Sequence, residues 1–188
     1  MKVFNEYLSL EGISKVKKLF LENGIVEEYK KNSFFIRQGQ QQKKIAFIPK
    51  GAFRYLRYTS QDKEQIVGYS FENDFVTNYA AFRRQTPSIT SAQAIRDSIV
   101  YVLTDEDIEA FFRNEDPENL RAQIAETFLS DIYGRMISLY CDTPEERYLN
   151  LLERYPQIIN EVSLKEIASF IKVAPETLSR IRKKITSY

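Results

Sequence analysis

The chain has 188 residues, 43% of them hydrophobic, and a net charge of +1 from 27 Lys or Arg against 26 Asp or Glu. That length and apolar content suit one large domain, or a larger and a smaller one, around a real core. Histidine is absent and Cys141 is the single cysteine, which rules out an internal disulfide and removes the usual ligands of zinc, non-haem iron, haem and iron–sulfur centres and the imidazole of most general-base triads. No Gly-rich phosphate loop is present, and no apolar run approaches bilayer length. The start, Met1-Lys2-Val3-Phe4-Asn5-Glu6, lacks the basic and apolar regions of a secretory signal. A cytoplasmic protein is expected, not an enzyme and not at a membrane, with no cofactor, haem or iron–sulfur cluster.

Residues 4–22 read as a helix, with Leu8, Leu10, Ile13, Val16, Leu19 and Phe20 apolar, ended by Asn23-Gly24. The next eighty residues change period. Ile25–Tyr29, Phe34–Arg37, Ile45–Ile48, Ala52–Thr59, Gln65–Phe71, Thr90–Ile95 and Ile99–Leu103 are short and rich in β-branched and aromatic residues, and turn-like clusters separate them. Short, regularly spaced strands with no helices between them predict an antiparallel sandwich or jelly roll. The paired carboxylates Asp105 and Asp107 fall where a short helix, Asp105–Phe112, begins, and there they complement the helix dipole.

A long helix is expected over Pro117–Tyr140. It carries Leu120, Ile124, Phe128, Leu129, Ile132, Met136 and Leu139, an apolar band wider than one supporting surface needs. Packing against a second copy and packing against the chain's own β domain both account for such a band on periodicity alone. Thr143-Pro144-Glu145-Glu146 is a capping box with proline in the first turn, and it opens a further helix that ends before Pro156.

Ser163 and Glu166 form another capping box, so a helix starts near Leu164, with Leu164, Ile167, Ala168 and Ile171 on one buried stripe. A break at Lys172–Ala174 follows, and Pro175 suits the first position of a second helix. Its inner stripe is Leu178, Ile181 and Ile185. Its outer stripe is Glu176, Ser179, Arg180 and Lys183, flanked by Thr177, Arg182 and Lys184. Arginine for guanine, a carboxylate for the cytosine amino group, and hydroxyls and lysines for phosphates are what a major-groove face requires. An ordinary helical hairpin with a solvated basic face is the plainer alternative. Six Lys or Arg against two Asp or Glu from Ser163 to Tyr188 give this end a charge of +4 in a chain of +1, which favours the DNA-binding helix-turn-helix.

The order helix, β sandwich, long helix and helix-turn-helix resembles the Crp/Fnr family of bacterial transcription regulators over essentially the whole chain. In the first half the resemblance rests on Phe35-Ile36-Arg37-Gln38-Gly39, on Ala46-Phe47-Ile48-Pro49-Lys50-Gly51 followed by Phe53-Arg54, and on Glu72-Asn73-Asp74-Phe75. In the second half it rests on Pro144-Glu145-Glu146-Arg147-Tyr148, Lys165-Glu166-Ile167-Ala168 and Glu176-Thr177-Leu178-Ser179-Arg180. It implies an α+β chain with a jelly-roll sensor domain over 1–116, a dimerisation helix over 117–141 and a helix-turn-helix DNA-binding domain over 142–188. It further implies a homodimer joined through Leu120, Ile124, Phe128, Ile132 and Met136, a palindromic double-stranded DNA operator, a small-molecule effector and contact with RNA polymerase. Glu176 and Arg180 would read bases, Thr177 and Ser179 would contact bases or phosphates, and Arg182, Lys183 and Lys184 would supply backbone charge.

The chain also departs from that pattern. Where cyclic-nucleotide-binding relatives carry a Gly-Glu pair for the ribose and an Arg-Ser/Thr pair for the cyclic phosphate, this sequence aligns Thr77-Asn78 and Ser88-Ile89. The effector segment, Thr77, Asn78, Tyr79, Ser88 and Ile89, is therefore expected not to hold cyclic AMP in the usual way, although Arg83, Arg84 or Arg96 could approach a phosphate from elsewhere. Lys172 stands where relatives usually have glycine in the turn, so the turn either avoids a positive φ or carries strain. Two other readings are a small-molecule sensor whose terminal domain is a protein-interaction module, and a cupin-type enzyme, which the missing histidines disfavour.

Overall fold

The computed structural model describes residues 3–115 and 119–186. A 3₁₀ turn, Glu6–Ser9, precedes helix α1, Ile13–Asn23. The continuous helix expected over 4–22 is therefore broken. Gly12 takes a left-handed φ of 86° at the cap of α1, a conformation glycine adopts without steric cost, and the residues before it turn away so that Phe4 and Asn5 are buried.

Among the described residues eight strands follow: β1 Ile25–Tyr29, β2 Phe34–Ile36, β3 Lys44–Lys50, β4 Phe53–Tyr58, β5 Glu64–Ser70, β6 Phe75–Val76, β7 Ser91–Ala94 and β8 Ser98–Thr104. They form two antiparallel sheets, ordered β1-β8-β3-β6 and β2-β7-β4-β5, the expected β sandwich. Phe35, Ile48, Phe53, Val76, Ala92 and Val100 fill the space between them. The register of β3 on β8 shifts between Phe47 and Lys50. Just beyond, Gly51 has φ 117°, and a Cβ there would lie 2.1 Å from Ser98 Oγ. Only glycine lets the β3–β4 turn lie against β8.

Strand β6 and helix α2, Tyr79–Arg84, carry no signal of their own in the sequence, because two and six residues are too few to establish a period. Helix α2 is capped by the Asn78 side chain, which accepts from the Ala81 amide at 3.2 Å, and ends at Gln85 with φ 52°. Helix α3, Asp105–Glu115, runs past the expected Phe112. Helix α4 spans Leu120–Cys141; the expected start at Pro117 and the boundary at residue 116 lie outside the described residues.

The C-terminal unit comprises α5 Pro144–Arg154, the unforeseen one-turn α6 Ile158–Glu161, α7 Leu164–Phe170 and α8 Pro175–Thr186. Both capping boxes form, Thr143 with Glu146 and Ser163 with Glu166. Tyr148, Leu151, Ile158, Ile167, Leu178 and Ile181 make its core, which continues without a gap into Phe4, Ile66, Tyr69 and Phe71 of the sandwich side.

Candidate nucleic-acid interface and sensor segment

Helices α7 and α8 meet across a tight turn. Ile171 caps α7, the Val173 amide donates to Ala168 O at 2.9 Å, and Lys172 takes φ 59°. A lysine thus occupies the left-handed region, the costlier of the two expected arrangements. Arg147 on α5 clasps this turn: Nε donates to Ile171 O at 2.8 Å, Nη2 to Lys172 O at 3.4 Å and Nη1 to Asp142 O at 2.7 Å. Those carbonyls have no intrahelical donor at a helix end, so the arginine gives the turn its shape. Sequence reasoning noted Arg147 within a motif but assigned it no task.

On α8, Leu178 and Ile181 face inward. Glu176, Ser179, Arg180 and Lys183 are exposed together on the outer stripe, with Thr177 and Arg182 half-buried at its margins. Lys184 is exposed beside them, and its Nζ donates to both carboxylate oxygens of Glu145 at 2.8 and 3.0 Å, a surface tie between α8 and α5.

The five residues expected along one face of α4 divide between two. Leu120 is fully buried and packs with Ile13, Phe20 and Leu103; Ile124 packs against the same cluster, and the Phe128 ring lies 6.4 Å from that of Tyr7. These three serve the chain's own β domain, so Leu120 is unavailable to a partner. Ile132 and Met136 are 42% and 44% exposed, and Leu129, Tyr133 and Tyr140 are exposed beside them. Spaced at i, i+3, i+4, i+7 and i+11, these form a single apolar stripe on the outer side. The wide band is therefore covered by the chain's own β domain up to Phe128 and exposed from Leu129 on.

In the effector segment, Asn78 is committed to capping α2, and its Nδ2 donates to Thr90 Oγ1 at 3.3 Å. The Thr77 amide donates to Tyr55 Oη at 3.1 Å, while Thr77 Oγ1 is buried with no hydrogen-bond partner. Ser88 is buried and donates to Thr90 O at 2.7 Å, Tyr79 is half-buried and Ile89 is exposed. The group is hydroxyl and amide in character. Of the arginines that could serve a phosphate, Arg83 pairs with Asp105 and Glu109, Arg96 with Glu161 at 2.5 Å, and Arg84 stands at the exposed end of α2. A buried cyclic phosphate needs a charge-assisted partner, and among Thr77, Asn78, Tyr79, Ser88 and Ile89 no charged side chain is present.

The sandwich and the helix-turn-helix unit are joined directly. Arg54 on β4 donates to Gln93 Oε1 at 3.0 and 2.7 Å and to Glu166 Oε1 at 3.1 Å, while Glu166 Oε2 closes the capping box of α7. Ser169 Oγ accepts from the Ile66 amide at 3.0 Å, and the Gln65 side chain donates to Ser169 O. Near the same junction, burial pushes the Asp74 carboxyl up to about 6, against hydrogen bonds from Tyr7, Asn5 and the Phe75 amide that favour the ionised form.

No described helix is long and apolar enough to cross a membrane, and no group of three or more metal-ligating side chains occurs among the described residues. Residues 26–115, which include the sandwich, match the family model described as cyclic nucleotide-binding domain. Over the whole chain the fold is similar to those of solved bacterial regulators, one of them described as of the Crp/Fnr family. FixK2 from Bradyrhizobium japonicum is 16% identical with a TM-score of 0.73, covering 87% of this chain and 85% of that one. The c-di-GMP-responsive global regulator CLP of Xanthomonas campestris is 16% identical with a TM-score of 0.70, covering 93% and 92%. A putative Crp/Fnr-family transcriptional regulator from Eubacterium rectale is 16% identical with a TM-score of 0.67, covering 98% and 87%. Among curated protein sequences nothing matches.

Proposed function

We propose that the chain is a homodimeric, sequence-specific DNA-binding transcription regulator of the Crp/Fnr type, not an enzyme, whose sensor domain answers to a small molecule other than cyclic AMP held by the usual cassette. The observation that carries this reading is the exposed stripe Glu176, Ser179, Arg180 and Lys183 on a helix whose entry turn is capped and clasped by Arg147. A duplex-reading helix needs such a rigid presentation. Thr177 and Arg182 reach the flanks of the groove, and double-stranded DNA with palindromic half-sites about 34 Å apart is the partner. The outer stripe of α4 joins the two copies, and RNA polymerase is the further partner of a DNA-bound regulator. The residues 1–116, 117–141 and 142–188 serve as sensor, dimerisation helix and DNA-binding domain of a cytoplasmic protein.

Fluorescence anisotropy on a pool of genomic fragments across a salt series, with sequencing of the retained DNA, tests the reading. A palindromic motif and a steep salt dependence are expected, and Arg180→Ala should cost about 1–3 kcal/mol of base discrimination. Weak, motif-free binding that Arg180→Ala leaves unchanged would overturn it in favour of a protein-interaction module. Calorimetry with cyclic AMP should show no micromolar binding.

A further inference from the structure

Three segments far apart in sequence converge on Phe4. Its ring lies edge-on to Tyr69 and Phe71 of the sandwich, at 5.9 and 5.4 Å between centroids, and to Tyr155 at the end of α5, at 5.5 Å; it is tilted against Phe170 of α7 at 5.8 Å. The Phe4 carbonyl accepts a fork from Arg154, Nε at 3.0 Å and Nη2 at 2.6 Å. The remaining nitrogen of that guanidinium, Nη1, donates to Asp131, which is buried in α4. One helical turn further along α4, Arg135 stands 3.4 Å from the other oxygen of Asp131 and 5.9 Å from the Phe170 ring centroid. Beside Phe4, Asn5 donates to Tyr69 O at 3.0 Å and to Asp74 at 2.6 Å, and Tyr7 donates to Asp74 while its ring meets Phe128 of α4.

The covalent route between α4 and the DNA unit is slender. Asp142 and Thr143 are both extended, with ψ of 147° and 160°, and two extended residues cannot by themselves hold a rigid body at one angle. Two recognition helices that read half-sites one DNA turn apart need that angle fixed.

We propose that Phe4–Tyr7 is a strap that sets the orientation of the helix-turn-helix unit against the sandwich and α4, with Arg154 as its positioning residue. The strap is remote from α8, yet it governs which spacing of half-sites the dimer accepts. Lysine cannot take over from Arg154, because a single ammonium does not reproduce a planar fork to a carbonyl with a third donor to a carboxylate. The functional consequence rests on the DNA-binding reading; the orientation does not.

The test uses the full chain with spin labels at Glu22→Cys on α1 and Asn160→Cys on α6, in a Cys141→Ser background diluted with unlabelled chain. Both label positions are exposed. The parent should give one narrow distance distribution and prefer one half-site spacing. Arg154→Lys and Phe4→Ala should broaden the distribution and reduce the spacing preference about tenfold, while affinity for a single half-site stays unchanged; should Phe4→Ala not fold, Phe4→Leu replaces it. Variants that lose thermal stability but keep the narrow distribution would show the strap to be core filling only and overturn the proposal. If the parent binds no DNA, the regulator reading fails, and the distance distribution alone decides the strap.

Discussion

Asp131 offers a quantitative check on how the unit is held. Its side chain is 2% exposed, and it faces Arg154 through one oxygen and Arg135 through the other, each arginine side chain about a quarter exposed. Asp131→Asn keeps the shape and one acceptor, but it turns an amide donor toward the second guanidinium and leaves two positive charges without a buried counter-charge. Removing one partner of a buried ion pair costs about 3–5 kcal/mol. The partial exposure of both arginines lets water recover some of this, so about 3 kcal/mol is expected. For a chain of this size that lowers Tm by about 6–12 °C, read by circular dichroism at one fixed protein concentration because self-association shifts apparent stability. The companion variant Arg154→Met removes one of the stranded charges, so adding Asp131→Asn to it should cost less than adding it to the parent, by about 1 kcal/mol or more. A Tm drop under about 2 °C, or strict additivity of the two substitutions, would refute the account of Asp131 as the shared acceptor.

Ile132→Asp with Met136→Asp places two carboxylates on the outer stripe of α4, and sedimentation should then give a monomer with unchanged helix content; a persisting dimer would remove α4 from the interface. Asp74 binds a proton more readily folded than unfolded, because burial raises its folded value to about 6 from the ordinary 3.8. Its contribution to stability is therefore fully present below about pH 4 and is lost as pH rises through 6, a swing of up to about 3 kcal/mol. Urea unfolding of the parent and Asp74→Asn across that range should show the difference between them changing by this amount, and parallel curves would contradict it. Lys172→Gly relieves the left-handed backbone at a cost in unfolded-chain entropy; the net should be a gain of up to about 1 kcal/mol in unfolding free energy, read from the urea transition, and a loss would show that the turn is not strained.

Most of the architecture was legible because its signals are local. The two capping boxes and Pro175 placed α5, α7 and α8 to within a residue, and strands with burial on alternate residues, such as β8, announced themselves. Where two partners compete for one pattern, local reading could not decide: the apolar band of α4 is a single periodicity that serves the β domain up to Phe128 and turns outward from Leu129. The break at Gly12 was hidden because apolar residues continue at helical spacing on both sides of it. The outer stripe of α8 was readable as a face, but the pairing of Lys184 with Glu145, 39 residues away in sequence, was not. Arg147, Arg154 and Arg54 were invisible as structural devices because each acts on groups distant in sequence, and nothing in an arginine's neighbours along the chain says which carbonyl it will hold.

Strand β5 is the outer strand of its sheet, and the protein that covers it is the helix-turn-helix unit: Ser169 takes up the Ile66 amide, and Phe170 lies on Tyr69. The two halves of the chain are consequently not interchangeable cassettes. A sandwich severed after Cys141 would present an unpaired edge next to bare aromatic rings, the arrangement that recruits another strand and aggregates. Grafting this sandwich onto a different C-terminal unit would first require resurfacing β5, because its edge and its aromatic rings are covered only in the company of α7.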